Sequence, residues 1–499
     1  MSSSPSTPPT LAALSIPHAP ISIDIHSPKE TIHSTVREAV LNLCSSLFTP
    51  PSTPDNTSSL STTTTSSSSS SSLSSSSPST RTLPSSEDLL ITPISGGITN
   101  NLFRVAHKAS HLYPQQVLVR IYGDKTEILI NRDTDTQAFA LLAQAGFAPS
   151  LHGTFHNGRV EGYVPSRPLL PYEMSYQTPV NFVSLIAKET ARLHLLDMPG
   201  DKLPILWSYL DKWFTMAEET KFDGLSNDTV EVQKYQHYQT LNIPRLGKEY
   251  QWLKTVLPSP LNQHGQVLIN NYAIQLVTSK GEQNTTFSSL IPSYPALFTI
   301  PQVSNPEHQA RLDAIGIAYR IVYAHNDLLS GNILHIENST EEAISSPKVN
   351  IGLPTYLDDR VLIIDYEYGG YNYCAFDIAN HFCEHAGFDF DLEKWYPKRP
   401  IQRAWCEAYL ERVGIPIPTS KPNTKVENGE GNTVDTITEA FMDELLIRIN
   451  QFTLASHFWW GLWAVVQGRY SPINFDFMSY AVERFKGYHK HKKEFFGMD

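Results

Sequence analysis

The sequence predicts an α+β protein of two lobes, a small strand-rich lobe followed by a larger helical one. With 499 residues, of which 40% are hydrophobic, the chain is long enough to bury more than one core. Between residues 89 and 165, short apolar runs of strand length are bounded by turn residues. Beyond Pro165 the apolar residues recur at helical spacing over longer segments.

Composition excludes several classes of protein. Lys and Arg number 38 and Asp and Glu 50, a formal charge of −12, so a nucleic-acid partner is not expected. The start, MSSSPSTPPT, lacks the features of a secretion signal, and no apolar stretch approaches the roughly 18 residues that span a bilayer. Four cysteines without a CxxC pair fit a reducing compartment. We therefore expect a cytoplasmic protein without membrane insertion or a structural metal.

The N-terminal region divides into three predicted segments. Residues 1–18 are predicted to be disordered, and residues 19–50 to form an extension in which ISIDI is a strand and SPKETIHSTVREAVLNLCSSLF a helix. From Thr57 to Thr80, 21 of 24 residues are Ser or Thr. Such a tract has too little apolar surface to offset the entropy of ordering. We therefore expect a disordered insertion over residues 51–88.

Residues 89–165 are predicted to form the small lobe and residues 166–499 the large one. The small-lobe strands are LLITPISGGITNNLFRV, QVLVRIY and RVEGYV, and its helix, TDTQAFALLAQAG, ends at Gly146. Large-lobe helices include VNFVSLIAKETARLHLL and LLIRINQFTLASHFWWGLWAVVQ. Three short runs, RIVYAHND, NILHI and RVLIIDYEY, are typical of strands that end in polar residues.

The segment HNDLLSGN has the H-x-D-x4-N spacing of phosphoryl-transfer enzymes. A loop of this length can put a carboxylate at the attacking hydroxyl and an amide oxygen at Mg²⁺. We expect Asp327 to face the hydroxyl, Asn332 to bind the metal and His325 to brace the loop backbone. Because this short pattern also arises by chance, it needs support from other motifs.

Asp365 supplies that support, since it ends the apolar run VLII. A carboxylate at the end of a buried strand is costly unless a cation offsets its desolvation. We therefore predict that Asp365 is a Mg²⁺ ligand. The alternative is an acid that caps a helix or lies exposed in a turn.

The segment SGGITNN could bring backbone N–H groups to a phosphate through Gly96, Gly97, Thr99 and Asn100. A Gly-Gly pair between strands is, alternatively, simply a turn.

Arg120 lies inside the apolar run VLVR, where a buried guanidinium seeks a carboxylate or a phosphate. We predict that Asp135, at the start of the following helix, is its partner and orients it toward the nucleotide phosphates. A strand-edge arginine that points to solvent is the alternative.

Taken in order, these motifs resemble the choline/ethanolamine kinase family. The resemblance runs from about residue 89 to residue 485 and includes ISGGITNNLF, VLVRIYG, HNDLLSGNIL, VLIIDYEYGGYNYCAFDIANHFCE and SHFWWGLWAVVQGRYSPINFDFMSYA. It implies a protein-kinase-like fold that binds ATP between a small and a large lobe. It also implies that Asp327 is the catalytic base, that Asn332 and Asp365 bind Mg²⁺ and that Arg120 contacts phosphate.

The resemblance also implies further site residues. RVEGYV, with Glu161 and Tyr163, would supply the adenine side of the ATP site. The cationic end of the acceptor would meet a carboxylate and aromatic faces: Glu384, Tyr368, Trp460, Trp463 and Tyr480. Aromatic residues at helical spacing are, alternatively, ordinary core residues. Asp377 is expected to be structural and to accept hydrogen bonds from the catalytic-loop backbone.

Two departures from the family's relatives bear on these expectations. The small-lobe helix carries Asp135 where relatives usually have Glu, so its pair with Arg120 must span one methylene less. The catalytic loop lacks the arginine by which protein kinases sense a phosphate on their activation loop, so we infer no such switch.

The activity implied is ATP-dependent phosphorylation of ethanolamine, the first step of a route to phosphatidylethanolamine. Leu329 stands where choline kinases typically carry Gln, which favours ethanolamine over choline. Choline or dual use remains an alternative, and so does an inactive nucleotide-binding scaffold, which the intact Asp327, Asn332 and Asp365 disfavour. The implied cofactors are ATP and Mg²⁺, the partner is a small molecule, and a homodimer is left open.

Overall fold

The computed structural model describes residues 15–48, 85–94, 100–110, 115–123, 130–257, 303–336, 360–419 and 435–498, with the backbone of three short strands at 266–269, 272–276 and 298–299. The Ser/Thr-rich tract and the first fourteen residues lie outside these ranges, and so do Gly96, Gly97 and Thr99 of the expected phosphate loop.

The small lobe is built on one six-stranded sheet. Its strands are β1 (His18–Ala19), β2 (Leu89–Ile94), β3 (Asn100–His107), β4 (Gln116–Tyr122), β5 (Leu151–Phe155) and β6 (Gly158–Gly162). Their order across the sheet is β1-β5-β6-β4-β3-β2, with antiparallel pairing everywhere except between β1 and β5. The strands expected around QVLVRIY and RVEGYV are thus β4 and β6, side by side at the centre of the sheet.

Alternation along β4 separates the two faces of this sheet. Val117, Val119 and Ile121 are fully buried on one face, against α1 (Lys29–Cys44). Because successive side chains of a strand point to opposite faces, Arg120 lies on the other face, toward the large lobe. The N-terminal helix therefore completes the core of the small lobe.

The strand expected over ISIDI is wrong. The strand that forms is the two-residue β1, and residues 21–25 have no strand pairing. Asp24 accepts hydrogen bonds from the backbone N–H of His26, at 2.9 Å, and from the hydroxyl of Ser27, at 3.0 Å. These bonds turn the chain into α1, as Asp side chains commonly do.

Helix α2 (Arg132–Gln144) lies between β4 and β5 and ends near Gly146, which has a positive φ of 75°. Its N-cap is Asn131, whose side chain accepts from the N–H of Thr134. Strand β7 (Arg167–Pro168) follows β6 along the chain and pairs with a strand of the large lobe.

The large lobe is mainly helical. Its helices are α3 (Phe182–His194), α4 (Leu206–Glu219), α5 (Thr229–Leu241), α6 (Ile243–Val256), α7 (Pro306–Ala318), α8 (Cys374–Glu384), α9 (Leu392–Trp395), α10 (Arg399–Val413), α11 (Thr436–Tyr470) and α12 (Phe477–Phe496). Helix α11 is buried around most of its circumference, so it forms the centre of the lobe. Among the described residues, no helix combines the length and apolar character needed to cross a membrane.

Two strand pairs in the large lobe position the segments that contain Asp327 and Asp365. They are formed by β11 (Ile321–Ala324) with β14 (Gly370–Tyr373) and by β12 (Ile333–Ile336) with β13 (Arg360–Ile363), both antiparallel. A further three-stranded sheet comprises β8 (Gln266–Ile269), β9 (Tyr272–Leu276) and β10 (Phe298–Thr299). The loops that follow β11 and β13 lie side by side and contain the candidate catalytic residues.

Candidate active site

The candidate catalytic loop, residues 325–332, follows β11 and is held by Asp377 of α8. The buried Asp377 carboxylate accepts hydrogen bonds from the backbone N–H of His325, at 3.0 Å, and of Asn326, at 2.7 Å. Burial acts to raise the pKa of Asp377, but a hydrogen bond with His194 and its charge hold that pKa below the usual value. The structural role expected for Asp377 is confirmed.

His325 braces the same loop from its other side. Its Nε2 atom lies 2.9 Å from the carbonyl oxygen of Ile364, the residue before Asp365. The imidazole therefore links the catalytic loop to the end of β13. The bracing role expected for His325 is confirmed.

Asp327 and Asn332 are in direct contact across the loop. The Nδ2 atom of Asn332 donates to the backbone carbonyl of Asp327, at 2.9 Å, and to its Oδ2, at 3.1 Å. These two bonds use the amide nitrogen and fix the side chain. The Oδ1 atom of Asn332 has no hydrogen bond in the part of the chain described here, so it can serve as a ligand.

Asp365 is brought to the same place by the β12–β13 pairing. Ile333 opposes Ile363, and the N–H of Ile364 donates to the carbonyl of Asn332 at 2.9 Å. Asp365 then takes a left-handed conformation, with φ of 67°, which Asp tolerates better than most residues. The three candidate catalytic residues therefore converge, although 38 positions separate Asp327 from Asp365.

The electrostatic environment differs between the two candidate aspartates, Asp327 and Asp365. Burial is the main factor that raises the pKa of Asp327 well above its usual range. The negative charges of Glu384, Asp365 and Glu367 raise it further. Burial also acts to raise the pKa of Asp365, but the guanidinium groups of Arg120 and Arg159 outweigh it and lower that pKa.

Arg120 crosses from the small lobe to this site. Its Nη1 atom lies 3.3 Å from both carboxylate oxygens of Asp365, and its Nε atom lies 3.0 Å from Oε1 of Glu161. The expected pair of Arg120 with Asp135 is wrong. Asp135 instead pairs with Arg159, whose Nη1 atom is 2.9 Å from Oδ2.

The register of β4 against β6 explains this correction. Arg120 lies directly opposite Arg159, and Glu161 lies opposite Leu118, one diagonal step away. Glu161 Oε1 therefore accepts from both guanidinium groups, at 3.0 Å from Arg120 and 2.6 Å from Arg159. Its carboxylate lies between two cations that would otherwise repel each other.

The remaining residues proposed for ATP are partly described. Asn100 begins β3, is buried and opposes Tyr122. Tyr163 follows β6, is half buried and has the guanidinium of Arg104 4.9 Å from its ring centroid. Gly96, Gly97 and Thr99 lie outside the described residues, so their role stays a prediction.

Three of the aromatic residues proposed for the acceptor, Tyr368, Trp460 and Trp463, form one cluster near Asp327. The rings of Tyr368 and Trp460 are 5.4 Å apart, and so are those of Trp460 and Trp463. Trp463 Nε1 donates to the Tyr368 hydroxyl at 2.7 Å. The segment before β14 and helix α11 thus bring three of the sequence-predicted residues together.

Glu384 completes this cluster from α8. Its Oε1 atom lies 2.9 Å from Nη1 of the fully buried Arg484, which also donates to the Tyr480 hydroxyl at 3.2 Å. Burial raises the pKa of Glu384, and the charge of Arg484 opposes that rise. Oε2 of Glu384 has no hydrogen bond among the described residues.

Comparison with known proteins identifies the family. The choline/ethanolamine kinase family model matches residues 91–271 and 305–489. The chain belongs to this family. Ethanolamine kinase 1 of Mus musculus is 31% identical over 400 residues, which cover 80% of this chain and 82% of that protein. A probable ethanolamine kinase of Arabidopsis thaliana is 29% identical over 399 residues, 80% of this chain and 78% of its relative.

Solved structures agree in fold. An ethanolamine kinase of Plasmodium vivax is 20% identical with a TM-score of 0.56, and the alignment covers 93% of this chain and 90% of that one. A choline kinase of Cryptosporidium parvum is 21% identical with a TM-score of 0.52, over 83% and 92%. The α+β, protein-kinase-like fold is confirmed. This kinase is an ATP-dependent phosphotransferase that acts on an alcohol group.

Three functional candidates of the kinase were missed from sequence. Glu367 is buried beside Asp365, pairs with Arg132 at 3.1 Å and has a pKa raised to about 7, first by burial and then by Asp365. The sequence pattern that could have identified Glu367 is the D-x-E spacing from Asp365, just after β13. Arg159 and Arg484 were missed because only the folded chain brings each to its carboxylate.

Proposed function

We propose that this enzyme is an ethanolamine kinase, which transfers the γ-phosphate of ATP to the hydroxyl of ethanolamine and yields phosphoethanolamine. The observation that carries the proposal is the convergence of Asp327, Asn332 and Asp365 beside a buried aromatic and carboxylate cluster. The names of the relatives, several of them ethanolamine kinases at about 30% identity, support the same reaction. The product would enter the CDP-ethanolamine route to phosphatidylethanolamine.

Mg²⁺ fits the residues at the loop. A hard divalent cation prefers oxygen ligands, and Asn332 Oδ1 and the Asp365 carboxylate are oxygens on adjacent backbone segments. Asp365 is the candidate with a lowered pKa, so it is ionised at neutral pH and ready to bind a cation. When bound, the metal would neutralise negative charge on the phosphates.

Asp327 is the proposed base. Phosphoryl transfer asks mainly for an aligned hydroxyl and for charge neutralisation. Asn332 fixes the Asp327 carboxylate through its Nδ2 atom, and the raised pKa of Asp327 makes that carboxylate a better proton acceptor than an exposed one. Arg120, held by Glu161 and Asp365, offers positive charge to phosphate oxygens.

Glu384 and its aromatic neighbours are proposed to hold the amine. A primary ammonium has three N–H donors, whereas a trimethylammonium group has none. Glu384 Oε2 can accept one of those donors, which favours ethanolamine. The faces of Tyr368 and Trp460 would also attract the trimethylammonium group of choline, so choline is the second candidate acceptor.

We also propose a cytoplasmic location. Cys44, Cys374, Cys383 and Cys406 are all buried free thiols, as is typical of proteins in reducing compartments.

The test is phosphorylation of amino alcohols by the purified enzyme. At matched ATP and Mg²⁺, we expect kcat/KM for ethanolamine to exceed that for choline. A clear choline preference would reject the acceptor assignment and leave the phosphotransferase. ATP binding without phosphorylation of any amino alcohol would instead support a nucleotide-binding scaffold.

A further inference from the structure

We propose that the buried side chains of Asn380, Ser456 and Arg484 fix the distance between the acceptor's cation site and the catalytic loop, and so select the chain length of the amino alcohol. This inference rests on the proposed acceptor site. It assigns these three residues a positioning role, since none of them is proposed to touch ATP, the metal or the acceptor.

The residues that bind the catalytic loop and the proposed cation-binding residue Glu384 lie on one face of α8. Asp377, Asn380, His381 and Glu384 occur at positions i, i+3, i+4 and i+7, which share one side of a helix. The first three bind the catalytic loop: Asp377 accepts from two of its N–H groups, Asn380 donates to the Asn326 carbonyl at 3.1 Å, and the His381 ring is 3.0 Å from the Leu328 carbonyl. At about 1.5 Å per residue, Glu384 lies about 10 Å beyond Asp377 and about 4.5 Å beyond His381 along the helix axis.

The Asn380 side chain makes hydrogen bonds both to the catalytic loop and to helix α11. Its Oδ1 atom accepts from Nε1 of Trp460 and from the hydroxyl of Ser456, both at 2.7 Å, while its Nδ2 atom donates to Asn326. Both the loop residue before Asp327 and an aromatic wall of the acceptor site are therefore bound to one fully buried amide.

Ser456 and Arg484 connect the Asn380 amide to the Glu384 carboxylate. Its hydroxyl proton goes to Asn380, and its oxygen accepts from Nη2 of Arg484 at 2.8 Å. Arg484 then donates through Nη1 to Glu384 at 2.9 Å. A continuous hydrogen-bonded path thus runs from the catalytic-loop backbone to the proposed cation-binding carboxylate.

The three side chains that connect the ends of this path are removed from water. Asn380, Ser456 and Arg484 are each 0% exposed. In such an environment a hydrogen bond is stronger than in water, and a displaced partner has no solvent molecule to replace it. The position of Glu384 relative to Asp327 is therefore fixed by directed bonds as well as by packing, and a longer acceptor cannot be accommodated by moving either end.

Ser456→Ala removes the hydroxyl that links Asn380 to Arg484 and leaves the proposed catalytic and acceptor-binding residues unchanged. The substitution deletes one hydroxyl, while the Ser456 backbone carbonyl keeps its 3.1 Å bond with Arg484. Thr453→Val is the matched control. Thr453 lies one turn earlier on α11, is fully buried and bonds through its hydroxyl to the Asn450 carbonyl and to His491, outside the path.

The readout is the ratio of kcat/KM for ethanolamine to that for 3-amino-1-propanol. We expect the unmodified enzyme to prefer ethanolamine. Ser456→Ala should reduce this ratio about 3- to 10-fold, because its hydroxyl makes two buried hydrogen bonds and only part of their contribution bears on the length of the acceptor. The KM for ATP should stay within twofold, and Thr453→Val should keep the original ratio. An unmodified enzyme without length preference, or an unchanged ratio in Ser456→Ala, overturns the proposal.

Hydrogen exchange of the backbone amides of residues 325–329 tests the same path without any turnover. Faster exchange in Ser456→Ala than in Thr453→Val supports it, and equal exchange overturns it. If the unmodified enzyme phosphorylates no amino alcohol, the proposed function fails, while this second measurement still decides whether Ser456 positions the loop.

Discussion

Arg159→Met is the sharpest test of the charge network between the lobes. Arg159 is 1% exposed, bonds to Asp135 at 2.9 Å and to Glu161 at 2.6 Å, and has its guanidinium carbon 4.0 Å from the centroid of the Phe139 ring. Asp135 Oδ1 has no hydrogen-bond partner in the described part of the chain. Removal of this cation leaves Glu161 with Arg120 at 3.0 Å and Asp135 with the more distant Arg132 at 3.7 Å, so part of the charge of both buried carboxylates becomes uncompensated.

The expected cost follows from that geometry. Loss of one partner from a buried ion pair costs about 3–5 kcal/mol, which shifts an opening equilibrium by at least about 100-fold. All eight Trp residues lie beyond residue 200, so Trp fluorescence does not report on the small lobe. Amide hydrogen exchange in β4 and β6 measures its opening directly. We expect exchange there to be at least about 100-fold faster in Arg159→Met.

Arg192→Met is the matched control. Arg192 also lies over a ring, with Phe147 at 3.8 Å, and pairs with the carboxylate of Glu189, but its side chain is 26% exposed. Partly exposed pairs are worth about 1 kcal/mol or less, so we expect only a small change within α3 and none in β4 or β6. Exchange in Arg159→Met within a few-fold of the unmodified protein would refute the buried-network reasoning.

Three further predictions concern the candidate site. Asp365→Asn should raise the Mg²⁺ concentration for half-maximal rate at least about tenfold, because a charged ligand is lost; an unchanged Mg²⁺ titration contradicts this. Glu384→Gln should raise the KM for ethanolamine about tenfold and leave the KM for ATP within twofold, and the opposite pattern would remove Glu384 from the acceptor site. Asp327→Asn should increase stability by about 1 kcal/mol or more at pH 8, as seen in Tm. Since burial raises the pKa of Asp327, its ionised form is the costly one, so this gain should shrink as pH falls toward 4, and a gain independent of pH would be inconsistent with it.

Features with a local cause could be predicted from the sequence. The catalytic loop follows a short apolar strand, and its spacing decides where Asp327 and Asn332 point. Asp365 could be recognised because an acid directly after a buried strand needs a cation. The β4 and β6 strands and helix α11 follow from alternation and helical spacing alone.

Features that depend on pairing between distant segments could not be predicted. The partner of Arg120 is decided by the register of β4 against β6, which places Arg159 opposite it and Glu161 on the diagonal. The expected partner, Asp135, lies at the start of the helix that follows β4, and that position along the chain did not identify the true partners of Arg120. The strand expected over residues 21–25 failed for a local reason, since Asp24 bonds to the backbone two residues on and turns the chain.

The most direct test of the central claim is the turnover of Asp327→Asn, followed by phosphorus NMR of the product formed from ATP and ethanolamine. The substitution keeps the oxygen that accepts from Asn332 and, by the argument above, yields a folded protein. Loss of the proposed base should lower kcat about 10²- to 10⁴-fold with ATP binding retained. Phosphoethanolamine formation at a rate near that of the unmodified enzyme would contradict the account.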